Sequence, residues 1–502
     1  MLKKLFLSFA ALPTIALSAQ AADLPAQKSP PPAPPPVFSW TGFHLGFNRG
    51  FGGAVSEARV ALAAPGLGGT ATRTFDQASG WFVGGQIGYD YQFENGVVLG
   101  VETDMQWSDI RSSHQATTIA SNPLLLTNAD TSHSLDWFGT TRGRVGYSFG
   151  RMLPYLTGGV AYGQVEARGA QALAAGLVSV GGARETNVGW AAGAGLDFAL
   201  SPRLSARAEY LYLQLPGVSG PAVGLTPPPL PPLVGSFSTG LVEAHMVRGG
   251  MNYRFGGLGD LAPSMPQGSL FDILFQKPEL DWTGFYVGVN GGYGGGVVDG
   301  VTGFAQPGLA FSTSVSNRTG GAVAGGQAGY AYQFADRFVV GVETDAQWSG
   351  VQAWHQATTV GGPNGYVFTD TPNAMTWFGT TRARLGLARG YSLSYVTGGV
   401  AYGEITASGT QAAGALFTGA GARSQVGWTV GSGTEYALAP NLSLRADYLY
   451  VSFAGVSGPA AGIAPAPFAG AFSTGRFATH VTRIGLNWRF GGAGPAPVVA
   501  KY

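Results

Sequence analysis

The sequence predicts an all-β fold: transmembrane antiparallel up-and-down β-barrels, drawn as two tandem eight-stranded barrels. Three observations carry that expectation. Stretches such as 81–93, WFVGGQIGYDYQF, put Trp81, Val83, Ile87, Tyr89, Tyr91 and Phe93 at one parity and Phe82, Gly84, Gln86, Gly88, Asp90 and Gln92 at the other. Alternation with period two marks a strand with one apolar and one wet face. Such stretches recur along the chain, and no window offers the ~20 apolar residues of a membrane helix. Short and long connections alternate, as they do when a barrel gathers its turns at one rim and its loops at the other.

Taken in order, the first residues read as an export signal. Lys3 and Lys4 precede an apolar run from Leu5 to Leu17, and Ala19-Gln20-Ala21 is a small-x-small cleavage site. Residues 1–21 are therefore expected to be a signal peptide. Residues 22–37 are Pro-rich and predict an extended periplasmic spacer. Two copies of one unit follow, at 38–256 and 280–491, joined by a linker at 257–279 whose apolar patch Leu270–Phe275 is expected to form a short helix. A tail, 492–502, closes the chain.

The repeat is explicit. Trp40-Thr41-Gly42-Phe43 returns as Trp282-Thr283-Gly284-Phe285, and Val101-Glu102-Thr103-Asp104 as Val342-Glu343-Thr344-Asp345. Trp137–Arg142 (WFGTTR) returns as Trp377–Arg382, Gly217–Ala222 (GVSGPA) as Gly455–Ala460, and Asn252-Tyr253-Arg254-Phe255 as Asn487-Trp488-Arg489-Phe490. So long a period marks a duplicated domain rather than a solenoid. In the first copy the alternation predicts strands near 40–52, 80–93, 97–108, 134–147, 153–165, 187–200, 204–213 and 243–255. Long loops are expected near 53–79, 109–133, 166–186 and 214–236, which are rich in Gly, Ala, Pro, Ser and Thr. A single sixteen-stranded barrel is the alternative, with the strand ending at Phe255 pairing to the one starting near Trp282.

Aromatics cluster at the ends of the outward parity: Trp81 and Tyr91 on one strand, Trp137 and Tyr147 on another, Trp190 and Phe198 on a third. Two aromatic girdles around an aliphatic band are the profile of a lipid-facing wall. The opposite parity collects charge: Glu102, Asp104, Arg142, Arg144, Arg207, Glu209 and Arg248, then Glu343, Asp345, Arg382, Arg384, Arg445, Asp447 and Arg483. An arginine at the midplane of the lipid face would cost about 2–4 kcal/mol, so these side chains are expected to point into the lumen. Eight strands leave a lumen that side chains just fill. A plug of ion pairs is expected in each copy; a charged constriction in an open channel is the other reading.

Net charge is +1 and no basic patch occurs, which gives no footing for nucleic acid. Cysteine is absent, which excludes disulfides and Cys-based metal sites, and no cofactor is expected. The histidines His44, His114, His133, His245, His355 and His480 form no positioned nucleophile–base pair in the sequence, and no enzyme is expected.

At WTGF near the start of each copy, and at VRGGMNYRF and TRIGLNWRF near the ends, the chain resembles the porin-family outer-membrane β-barrel proteins of Gram-negative bacteria, the group of outer-membrane immunogenic and opacity-like surface antigens. The resemblance spans both copies, whereas single members are one eight-stranded barrel. It implies an integral outer-membrane protein supporting envelope integrity, in contact with outer-membrane lipid and lipopolysaccharide. It also implies assembly through periplasmic chaperones and the barrel-assembly machinery. The family's assembly signal maps onto Met251, Tyr253 and Phe255, preceded by Val247, and onto Leu486, Trp488 and Phe490, preceded by Ile484. Twelve residues follow Phe490, a departure from a terminal Phe. A diffusion porin and a ligand-binding or adhesive surface protein acting through its long loops are the alternative functions; no extracellular ligand is named by the sequence.

Overall fold

The computed structural model describes residues 39–490, except 65–67, 122–123, 174–176, 226–231, 256–277, 307–308, 336, 354–355, 362–365, 371, 414–415 and 463–467. The expected signal peptide, the spacer, the tail and the Leu270–Phe275 patch lie outside the described residues. Every regular element among the described residues is a strand. The first copy holds β1 (Gly42–Ala64), β2 (Gly68–Gln92), β3 (Val97–Ser121), β4 (Leu124–Tyr147) and β5 (Met152–Leu173). It continues with β6 (Leu177–Ala199), β7 (Leu204–Leu215), β8 (Ser219–Leu225), β9 (Leu233–Thr239) and β10 (Val242–Phe255). The second holds β11 (Gly284–Gln306), β12 (Leu309–Phe334), β13 (Phe338–Ala353), β14 (Gln356–Gly361), β15 (Tyr366–Asp370) and β16 (Asn373–Arg389). It ends with β17 (Ser392–Ala413), β18 (Leu416–Ala439), β19 (Leu442–Phe453), β20 (Ser457–Gly462), β21 (Phe468–Thr474) and β22 (Phe477–Arg489).

Each copy closes on itself. In the first, β1 to β7 pair consecutively, β7 pairs β10, and β10 returns to β1 from Phe43–Phe255 to Val55–Glu243. In the second the ring runs β11-β12-β13-β16-β17-β18-β19-β22 and back to β11. These are two eight-stranded antiparallel rings, and the strand ending at Phe255 pairs with β1 and not with β11. The single sixteen-stranded wall is therefore not the fold of this region.

The strands outrun the sequence reading. Stretches expected as long loops continue the ladders: β1 and β2 pair as far as Ala64–Gly68, and β5 and β6 as far as Leu173–Leu177. Threonine, valine and alanine in these stretches accept a strand conformation once a neighbour satisfies their backbone groups.

On this long-loop side the two rings merge. Above Ser79–Arg111, β2 and β3 part; above Gly320–Gln352, β12 and β13 part. The freed edges pair across the copies, β2 with β14 and β3 with β12. The outer ladder then runs β1-β2-β14-β15-β17-β18-β20-β21-β11-β12-β3-β4-β5-β6-β8-β9 and back to β1. Two eight-stranded rings thus carry one sixteen-stranded collar.

The repeated WTGF closes the short-turn end. Trp40 is fully buried there with Val98, Leu153, Tyr155 and Ala199, and its indole Nε1 donates to Gly150 O at 3.1 Å. Gln92 N donates to Thr41 Oγ1 at 2.9 Å. Gly42 has a φ of +137°, and a Cβ there would lie 2.3 Å from Phe255 O, so glycine alone fits. In the second copy Trp282 is likewise buried, Gln333 N donates to Thr283 Oγ1 at 3.0 Å, and Gly284 has a φ of +136°. GVSGPA is equally structural: Val218 N donates to Thr239 Oγ1 at 2.8 Å and Val456 N to Thr474 Oγ1 at 2.9 Å.

Candidate functional site

The lumens are where the chain concentrates its chemistry. Residues two apart on a strand share a face, so β3 aims Glu102 and Asp104 inward, β4 Arg142 and Arg144, β7 Arg207 and Glu209, and β10 Arg248; all are buried. Register sets acids opposite bases: Glu102 faces Arg142, and Glu209 faces Arg248. Arg142 donates to Glu209 at 2.9 Å, to Asp104 at 3.0 Å and to Glu102 at 3.1 Å. Arg207 donates to Glu102 at 2.7 Å, and Arg248 to Asp104 at 2.9 Å and to Glu209.

The layer is larger than the sequence reading had it. Arg144 pairs with Asp197 at 3.0 Å and with Asp90, and Asp197 also accepts from Arg207 at 2.7 Å. Arg254 reaches Asp90 at 2.9 Å, and His44 lies 3.0 Å from Glu102 and 3.4 Å from Asp90. Asp90, Asp197, Arg254 and His44 go beyond the residues that the charge pattern of the sequence picks out. The signal was available, because each sits on the inward parity of a recognised strand. In this layer Asp90, Glu102, Asp104, Asp197 and Glu209 balance Arg142, Arg144, Arg207, Arg248 and Arg254 in charge.

The second copy repeats the layer with four substitutions, two of which keep the charge: Glu435 stands in the place of Asp197 and Asp447 in that of Glu209. Glu343, Asp345, Arg382, Arg384, Arg445, Asp447 and Arg483 come together, joined by Glu435 and Arg489. Arg445 donates to Glu343 at 2.7 Å, Arg384 to Glu435 at 2.9 Å, and Arg483 to Asp345 at 2.8 Å. Arg382 pairs with Asp345 at 2.9 Å and with Glu343. Where the first copy has His44 and Asp90 the second has Tyr286 and Ala331; the Tyr286 hydroxyl donates to Glu343 at 2.8 Å, and Arg384 donates to that hydroxyl at 2.6 Å.

Toward the collar the inward face turns apolar, which the sequence reading missed. Phe82, Ile110, Leu135, Phe138, Leu211, Leu213 and Met246 pack as one buried cluster in the first copy, with the Phe82 and Phe138 rings 5.4 Å apart edge-on. Val323, Val351, Met375, Phe378, Leu449, Val451 and Val481 do so in the second. WFGTTR now has a reason at each inward place: Phe138 joins the apolar layer, Thr140 donates to Asp104 at 2.9 Å, and Arg142 is the hub.

The outer wall carries its apolar parity outward, except that Phe198, expected at a lipid-facing end, is buried with its ring 4.7 Å from that of Tyr436 in the other copy. Trp81, Ile87, Tyr91, Val101, Trp107, Val145 and Leu156 are exposed, as are Val342, Trp348, Leu385 and Val396. Met251, Tyr253 and Phe255 lie half-buried on the same wall, and Leu486, Trp488 and Phe490 are exposed there.

One cluster resembles catalytic chemistry. Ser56 Oγ is 3.2 Å from His133 Nδ1, and His133 Nε2 is 3.3 Å from Asp76 Oδ2, which also accepts from Thr131 at 2.9 Å. All four are buried, and the imidazole presents Nδ1 to the serine and Nε2 to the acid, the reverse of a hydrolase triad. Among the described residues no group of three or more His, Cys, Asp and Glu side chains is arranged to hold a metal ion.

Comparison with known proteins agrees with this architecture. The family model described as the outer membrane protein beta-barrel domain matches twice, at residues 7–255 and 274–490. The 31 kDa outer-membrane immunogenic protein of Brucella melitensis is 36% identical over 247 residues, 48% of this chain and 95% of that protein. The 25 kDa outer-membrane immunogenic protein of Brucella canis is 29% identical, over 42% of this chain and 84% of that protein. Among solved structures, the outer membrane protein OprG from Pseudomonas aeruginosa covers 44% of this chain and 99% of its own, at 17% identity and a TM-score of 0.25. Two matches to a barrel model, each over a separately closed ring with a lipid-type outer wall, lead to one assignment: the chain is an outer-membrane member of the outer membrane protein β-barrel domain family, with that domain in tandem duplicate.

Proposed function

We propose that this is a structural and surface-antigen protein of the outer membrane, supporting envelope integrity with both lumens closed by side chains. The carrying observation is the stack of buried layers in each ring: a tryptophan at the short-turn end, a charge layer hinged on Arg142 or Arg382, then an apolar layer around Phe138 or Phe378. An open channel needs favourable entry and weak, multi-site exit; a cationic hub held by three carboxylates in the first copy and two in the second offers neither. The Brucella relatives, whose names denote immunogenic outer-membrane proteins, support the surface role.

In this reading residues 1–21 direct export, 22–37 form a periplasmic spacer, and the barrels occupy 38–256 and 280–491, joined by 257–279 and followed by a tail at 492–502. The short turns face the periplasm and the collar faces outward. Leu486, Trp488 and Phe490, and the internal Met251, Tyr253 and Phe255, serve as the signal read by the barrel-assembly machinery after periplasmic chaperones deliver the chain. The expected outcome in planar bilayers is an absence of steady conductance steps from refolded protein. Large steady steps would replace the closed-lumen reading by a diffusion porin.

A further inference from the structure

Among the aromatic side chains on the outer wall, Phe51 and Tyr293 do not face lipid. Phe51 and Tyr293 hold the same place in the two copies, eight residues beyond the Phe of each WTGF. They are 7% and 6% exposed, while Phe47 and Val289 on the same faces are 58% and 65% exposed. What covers them is the other copy. Their rings lie 6.4 Å apart. Phe51 also stacks on His480 at 6.2 Å, and His480 Nδ1 is 2.5 Å from Tyr448 Oη. Tyr293 enters a crevice beside Tyr210 and His245, which are joined by the same bond at 2.7 Å. Tyr210 and His245 are the first-copy counterparts of Tyr448 and His480. A Cβ at Gly53 would sit 2.1 Å from the Tyr293 hydroxyl, so this approach depends on glycine.

Each copy therefore presents one patch to the same patch on the other, which is the mark of an isologous contact. The collar obeys the same symmetry. Continuing the Ser79–Arg111 register seven residues outward would set Thr72 opposite Thr118, and continuing Gly320–Gln352 by seven would set Thr313 opposite Thr359. Instead Thr72 stands opposite Thr359, and Thr313 opposite Thr118. The same four positions have exchanged partners. Backbone pairing is equivalent in either arrangement, so the seam beneath and the tether between copies decide which forms.

We propose that the seam is a self-complementary interface whose partner is a second copy of this barrel, supplied here by the same chain, and that the collar is a reciprocal strand exchange locking it. The experiment uses the full chain, which has no native cysteine to interfere. One variant carries Thr72→Cys with Thr359→Cys, a second Thr72→Cys with Thr118→Cys, and both carry a protease site within residues 256–277. Facing strand positions fall inside disulfide reach, with Cα atoms about 4.4–6.8 Å apart. After oxidation of folded protein and cleavage of the linker, the first variant is expected to keep its halves joined on non-reducing gels. The second is expected to release them with both thiols still titratable. Separate halves in the first variant, paired thiols in the second, or a doubled mass from linkage between chains would overturn the proposal. Gly53→Leu drives a side chain into Tyr293 and is expected to lower the first variant's linkage several-fold while folded barrels keep their heat-modifiable gel mobility. An undiminished yield would overturn the seam's part in the exchange.

Discussion

Arg142 shows how much one side chain can hold. It bonds Glu102, Asp104 and Glu209 from a site with almost no solvent access. Removing one partner of a buried ion pair strands the other charge, at a cost of about 3–5 kcal/mol. Arg142→Met is therefore expected to lower the urea midpoint of the folded barrel in detergent, read from the mobility of unheated samples. Arg382→Met should act likewise in the second copy. The natural difference between copies gives a finer test. Asp90→Ala alone leaves Arg144 and Arg254 short of a carboxylate. Adding His44→Tyr supplies the hydroxyl that Tyr286 offers in the second copy, so the double variant is expected to regain about 0.5–3 kcal/mol of the loss, a coupling typical of contacting residues. A purely additive result in the same unfolding assay would contradict the equivalence of the two layers. Parity alone made Glu102, Arg142 and their partners legible in the sequence. It could have yielded Asp90 and Arg254 as well, since both share a face with Gln86 or Arg248. Arg318 was not legible: it sits on the outward parity and donates to Ser79 O at 2.9 Å, a partner that exists only because another copy lies alongside.

At the scale of the strand, what matters is which face meets which medium. Val101 lies outward on β3, between Leu99 and the girdle residue Trp107, and is exposed. Val101→Arg is expected to destabilise the folded protein by about 2–4 kcal/mol in lipid vesicles. Glu243→Arg, exposed at the long-loop end of β10, should be nearly neutral in the same titration. Equal effects would mean that the two positions do not differ in depth. The membrane halves of the strands were readable because lipid demands an unbroken apolar parity. Their outer halves were not, because water makes no such demand, and Gly, Ala, Ser and Thr read as loop where β1, β2, β5 and β6 continue their ladders. The inward apolar layer was hidden for another reason: Phe82 and Phe138 share a parity with Gln86 and Arg142, and depth along the strand separates them.

At the scale of the whole molecule the duplication was plain in the sequence; closure of each copy was favoured over one sixteen-stranded wall because each carries its own WTGF and its own closing strand, but strand count alone allowed both. The collar was not legible, because strand exchange depends on how two rings stand together and leaves no local pattern. The assembly reading also belongs here: Trp488→Ala with Phe490→Ala is expected to reduce the amount of protein reaching the outer membrane several-fold, measured by fractionation, whereas unchanged levels would remove the terminal strand from that role. The central claim is that the apolar face of each ring lies in hydrocarbon while the charged face is enclosed. Nitroxide labels at Val101→Cys and Val342→Cys in vesicles test it most directly. Both labels are expected to collide with oxygen and to make little contact with a water-soluble nickel chelate; ready access of the chelate to either label would mean that these faces do not lie in hydrocarbon.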